Sequence, residues 1–139
     1  MAGLQSLIRL RQHRLDEKRQ AMAQLMTLLD NLRREEQRTR DDLAAEKKYA
    51  ETHEESRTAF PNYNKKIHKR LKELVSEQGR LNQAIERAQI ELQDAFKELK
   101  VFEITEHERE RRKAATEKRA ENQAMDEVGL EGFRRKKDK

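Results

Sequence analysis

The side chains able to do acid–base, nucleophilic or metal chemistry are few in kind. They are His13, His53, His68 and His107, and the paired carboxylates Glu35-Glu36, Asp41-Asp42 and Glu54-Glu55. Two imidazoles reach one metal ion from a helix when they stand four residues apart, and no two of these do. His53 with Glu54, or His107 with Glu110, would chelate weakly, and chance placement on a charged helix explains them better. Acid pairs on exposed helix faces lack the desolvation that tunes a catalytic carboxylate. The chain has no Cys, which excludes disulfides and thiolate metal sites. It has no GxxxxGK, GxGxxG, HExxH or GxSxG motif. The expectation is a protein without catalytic residues, metal or cofactor, and not an enzyme.

Composition agrees. Of 139 residues, 42% are charged and 34% hydrophobic, against about 25% and 45–50% in ordinary domains. Too little apolar surface exists to wall a deep, water-excluding pocket. High charge with few aromatics also marks disorder, but one Pro and four Gly, with abundant Ala, Leu, Glu, Lys, Arg and Gln, indicate long helices instead. No apolar run approaches the roughly 18 residues of a membrane span. Met1-Ala-Gly-Leu-Gln5 has no signal-peptide core, so a cytoplasmic location is expected. Arg9, Arg11, Arg14, Arg111, Arg112, Lys113 and Arg134 to Lys137 form basic clusters. No aromatic interleaves them, which argues against a specific nucleic-acid reader.

These side chains must be carried by helices. Steps of four and three from Leu4 visit Ile8, Arg11, Leu15, Lys18, Met22, Leu25, Leu29, Leu32, Glu36, Thr39, Leu43, Glu46 and Ala50, mostly apolar positions with charged residues between. That is a coiled-coil seam. A second seam runs through Phe60, Asn64, Ile67, Leu71, Leu74, Gln78, Leu81, Ile85, Ala88, Leu92, Ala95, Leu99 and Phe102. Between them Ser56 to Asn64 holds the only proline, Pro61, which disfavours helical backbone at Phe60. The predicted fold is all-α: two long helices forming an antiparallel coiled-coil hairpin over residues 1–128. Its helices cover about 4–56 and 64–127, its turn about 57–63, and a basic flexible tail follows over 129–139.

A turn near residue 60 pairs residue i with about 119 − i. Glu36 and Thr39 then meet Gln78, Gly79 and Arg80 in a polar layer that sets the register. At the open end Leu4, Leu7 and Ile8 face Arg111 to Ala115, a poor apolar partner, and read as an unsatisfied docking surface unless another register covers them. Residues 4–20 and 129–139 each carry five basic and two acidic groups, leaving −1 of the total +5 for the rest. The pattern predicts a nearly neutral rod with one basic pole. Phe102 belongs to the seam, and Tyr49 and Tyr63 either pack across the turn or meet a partner.

Three segments resemble the FliJ family, the coiled-coil stalk of the bacterial flagellar type III export ATPase complex. They are Leu4-Gln-Ser-Leu7-Ile-Arg-Leu-Arg11 followed by Leu15-Asp-Glu17, then Lys100-Val-Phe-Glu103-Ile-Thr-Glu-His-Glu108-Arg109, and Met125-Asp-Glu-Val128 before a short basic tail. The resemblance implies a non-enzymatic stalk and chaperone escort for protein export and motility. Its implied partners are the export ATPase hexamer, a transmembrane export gate protein and export chaperones. The membrane would be met only peripherally, at the flagellar base, through that apparatus. Leu4, Leu7, Ile8, Arg9 and Arg11 with Arg111, Arg112, Met125, Asp126 and Glu127 would form the ATPase end. Leu43, Tyr49, Tyr63, Ile67 and Leu71 would form the gate end. The short turn departs from some family members. The homologous stalk of a virulence injectisome, or a coiled-coil adaptor with a basic end, fits the same residues.

Overall fold

The computed structural model describes residues 2–137. The protein is all-α: α1 spans Ala2–Thr52 and α2 spans Glu54–Lys137, packed against each other as a helical hairpin. Among the described residues there is no strand. Every position of both stepped seams, Leu4 to Ala50 and Phe60 to Phe102, is buried or half-buried. Leu15, Leu29, Ala50, Leu71, Leu74 and Leu99 are the most enclosed, and Leu74 is fully buried. Each helix is polar over most of its surface, so this shared apolar stripe is what holds it helical at such length.

The break between the helices is one residue, His53, rather than the expected 57–63. Its chemistry is side-chain capping. His53 accepts the first bond of α2 through its carbonyl, from Arg57 N–H at 2.9 Å. The last carbonyls of α1 have no intrahelical donors. Thr52 Oγ1 donates to the Tyr49 carbonyl at 3.2 Å, and His53 Nδ1 lies 2.9 Å from the same oxygen. The Arg57 guanidinium reaches back to the carbonyls of Ala50 and Glu51 at 3.4 and 3.1 Å. No residue there needs positive φ. Glu54 and Glu55 occupy the first turn of α2, where the helix dipole favours negative charge.

Pro61 sits inside α2, contrary to its expected role as the breaker. An interior proline costs a helix about 3 kcal/mol. Here its ring is on the exposed face, so water can reach the Arg57 carbonyl left without a donor. The seam residues Phe60 and Asn64, and Tyr63 between them, are meanwhile half-buried. Packing outweighs the lost bond.

Moving the break to residue 53 shifts the register. Residues His13–Ala95 form one compact unit. Within it Lys18 pairs with Glu91 at 3.5 Å, Arg70 with Glu35 at 2.7 Å, and Gln78 donates to Glu36 at 2.7 Å. The Glu36–Gln78 contact is the expected polar layer. The second unit joins the N-terminal residues up to Gln12 to those from Phe96 onward. In it Arg11 donates to Glu98 at 2.8 Å and Gln5 to Glu106 at 3.5 Å. Arg11 therefore faces a residue about ten positions earlier than the expected register gives.

That shift overturns the reading of Leu4, Leu7 and Ile8 as uncovered. They lie in the same stretch of α1 as Gln5 and Arg11, opposite the Glu98 to Glu106 segment, and all three are half-buried. What lacks a partner is the far end of α2. Every residue from His107 to Lys137 is exposed. The helix also continues through Gly129 and Gly132 to Lys137, where a flexible tail was expected.

Candidate interaction surfaces

The residues expected at the ATPase end divide into two groups. Leu4, Leu7, Ile8 and Arg11 are half-buried in the hairpin, and Arg9 is exposed. Arg11 is fastened twice: its Nη1 bonds Glu98, and its guanidinium lies 5.6 Å from the centroid of the Phe102 ring. Its Nε is buried without an acceptor, so the side chain is held by packing as much as by charge. Arg111, Arg112, Met125, Asp126 and Glu127 all lie on the exposed stretch of α2. The basic pole is thus drawn out along one helix. Arg134 is 36 residues beyond Glu98, the partner of Arg11, or about 50 Å at 1.5 Å per residue.

The exposed stretch is almost wholly polar or charged up to about residue 121, and beyond that large apolar side chains are interspersed among the charged ones. Met125 is 73% exposed, Val128 70%, Leu130 58% and Phe133 64%. Large apolar side chains exposed close together mark a candidate interaction surface.

Near the break, the residues expected at the gate end also divide. Leu71 is 5% exposed and belongs to the core, so it cannot meet a partner. Leu43, Tyr63 and Ile67 are half-buried. Tyr49 is half exposed and stacks on His53, with ring centroids 3.7 Å apart and 7° between the planes. Tyr63 lies against Phe60, centroids 6.4 Å apart.

Two open grooves flank Phe60. One, of about 430 Å³, is lined by Arg40, Leu43, Ala44, Lys47, Phe60, Asn64 and His68. The other, of about 410 Å³, is lined by Lys47, Ala50, Glu51, Arg57, Phe60 and Pro61. Each has an apolar floor and a mainly basic rim. Sequence reasoning placed Phe60 in the seam but missed Lys47 and His68, because their approach to Phe60 depends on where α1 ends. The capping role of Arg57 was missed for the same reason. Arg70 is held charged beyond its usual range by hydrogen bonding to Glu35, with further help from Glu73 and Glu77. Hydrogen bonds from Gln78 and Arg40 hold the Glu36 carboxyl below its ordinary value.

Among the described residues no three His, Asp or Glu side chains converge as a metal ion requires, and no helix is long and apolar enough to cross a membrane. Compared with protein-family models, curated proteins and solved structures, the chain has no match.

Proposed function

We propose that the chain is a non-enzymatic stalk and chaperone-escort component of a bacterial flagellar type III export apparatus. The observation that carries this reading is the asymmetry of the hairpin: α2 continues some thirty residues past its last packed position, Glu106, as an uncovered helix. A stalk needs a braced shaft and a free helical end that a ring-shaped ATPase can grip. Arg111, Arg112 and Met125 to Glu127 are the residues available for that grip. Leu4, Leu7 and Ile8 act instead as the brace. At the break, the grooves beside Phe60 with Leu43, Lys47 and Tyr49 suit contact with a membrane-embedded gate protein.

Titration of the chain against the cognate export ATPase tests the proposal, with hexamer formation and ATP turnover as readouts. Both should rise with the parent chain. The combined variant Arg111→Glu, Arg112→Glu, Met125→Ser should lose the effect while its helicity and thermal transition stay unchanged, because none of the three positions is packed. A parent chain that leaves both readouts flat overturns the reading.

A further inference from the structure

The stretch from Met125 to Lys137, which begins with the residues Met125 to Glu127 also assigned to the ATPase, has its own pattern. At about 100° per residue, Met125, Phe133 and Leu130 fall within an arc of roughly 140° and Val128 widens it to roughly 200°, with Gly129 and Gly132 between them, Asp126 the only acid in it, and Lys136 and Lys137 joining it in the last turn. Glu127, Glu131, Arg134 and Arg135 take the opposite side. Neither glycine has any atom within 4 Å of where a Cβ would stand, so that face is open along its length. The last turn is Arg134, Arg135, Lys136 and Lys137.

Four consecutive cations on a helix point in four directions about 100° apart. A groove on a folded partner meets one side of a helix and pairs with one or two of them. A diffuse layer of negative charge attracts all four, since long Arg and Lys side chains bend toward it from any side of the helix. A nucleic-acid backbone supplies such charge but gives Val128, Leu130 and Phe133 nowhere apolar to go. An anionic bilayer surface supplies both, and a helix with one apolar face and a basic end lies in that interface.

We propose that residues 128–137 bind an anionic lipid surface, with Leu130 and Phe133 at the acyl boundary, Val128 at its edge, and Arg134 to Lys137 among the headgroup phosphates. The contact is reversible, because three apolar side chains and four charges fall far short of a spanning helix. It requires no ATPase, so its failure and the failure of the stalk reading are separate events.

Flotation of the full chain with vesicles tests it, comparing phosphatidylcholine mixed with phosphatidylglycerol against phosphatidylcholine alone. The parent chain should float with the anionic vesicles only, and added salt should release it. Arg134→Gln with Arg135→Gln should weaken partitioning roughly thirtyfold, from the usual contribution of each cation near a charged surface. Leu130→Ser with Phe133→Ser keeps every charge and should still lose most of the binding. Circular dichroism should show both variants as helical as the parent, since the positions touch nothing else. Absence of flotation overturns the proposal. So does binding that ignores the Leu130/Phe133 change, which would make the segment a general polyanion binder, with RNA competing equally well.

Discussion

Gln78 donates its side-chain amide to the Glu36 carboxylate at 2.7 Å, from one helix to the other. Both residues occupy seam positions where apolar side chains would otherwise meet. Arg40, one turn along α1, holds the second carboxylate oxygen at 2.9 Å. With its partners fixed, the carboxylate is the favoured form of Glu36, and its pKa lies below the ordinary 4.5.

A lowered carboxylate pKa makes the folded state depend on pH in one direction. The contribution of Glu36 is complete above pH 4.5 and is lost as pH falls from there through the folded-state value. Acid titration of thermal stability should therefore show a loss beginning below 4.5 that is shallower in Glu36→Gln. Equal slopes in the two proteins would remove Glu36 from the account.

Among the described residues Leu74 is the one fully buried side chain. Leu74→Ala should cost about 2–5 kcal/mol, the range for removing a buried Leu and leaving its space unfilled. Val75, its neighbour, is half exposed, and Val75→Ala should change stability by no more than about 0.5 kcal/mol. Chemical denaturation distinguishes them.

Gly79 lies in the interior of α2 with open space around it and no positive φ. Nothing in its surroundings requires glycine, so Gly79→Ala should stabilise the hairpin by about 1 kcal/mol. A destabilised variant would mean that another chain approaches this face closely.

Arg11 and Glu98 form a short ion pair, but Glu98 is exposed and Arg11 only half-buried, and solvent-accessible pairs contribute no more than about 1 kcal/mol. The packing of the Arg11 stem near Phe102 should matter more. Arg11→Met is expected to stay within about 0.5 kcal/mol of the parent, whereas Arg11→Ala should lose about 1 kcal/mol. A double-mutant cycle with Glu98→Ala isolates the charge–charge part.

The fold was legible because one period governs it. From Leu4 to Phe102 the four-three stepping names the enclosed positions of both helices, including the charged and polar ones, Arg11, Lys18, Glu36 and Gln78. Periodicity reports which face is inward regardless of the residue filling a particular place. The turn was less legible because Pro61 is a strong local signal overridden by its neighbours. Phe60, Tyr63 and Asn64 keep the helix going, while Glu54 and Glu55 offered a quieter sign of where it begins. The error carried into the interaction surfaces, since a hairpin doubles any displacement of its bend. Leu4, Leu7 and Ile8 were assigned a poor partner for that reason alone, and the uncovered stretch of α2 was underestimated by the same amount.

The single-residue connection also dictates an order of assembly. Contacts bridge 7 residues between Arg57 and Ala50, 35 between Arg70 and Glu35, 42 between Gln78 and Glu36, 87 between Arg11 and Glu98, and 101 between Gln5 and Glu106. Formed alone, the longest would have to close a loop of about a hundred residues at full entropic cost. Formed after its predecessors, it closes only a few residues of slack. Loop closure alone therefore favours a zipper from the His53 end outward, an order that φ-value measurements at Leu71 and Leu4 would test. Amide protons should exchange earliest in the uncovered stretch from His107 onward, next at the Leu4 end of the packed seam, and latest around Leu71 and Leu74, where burial is deepest.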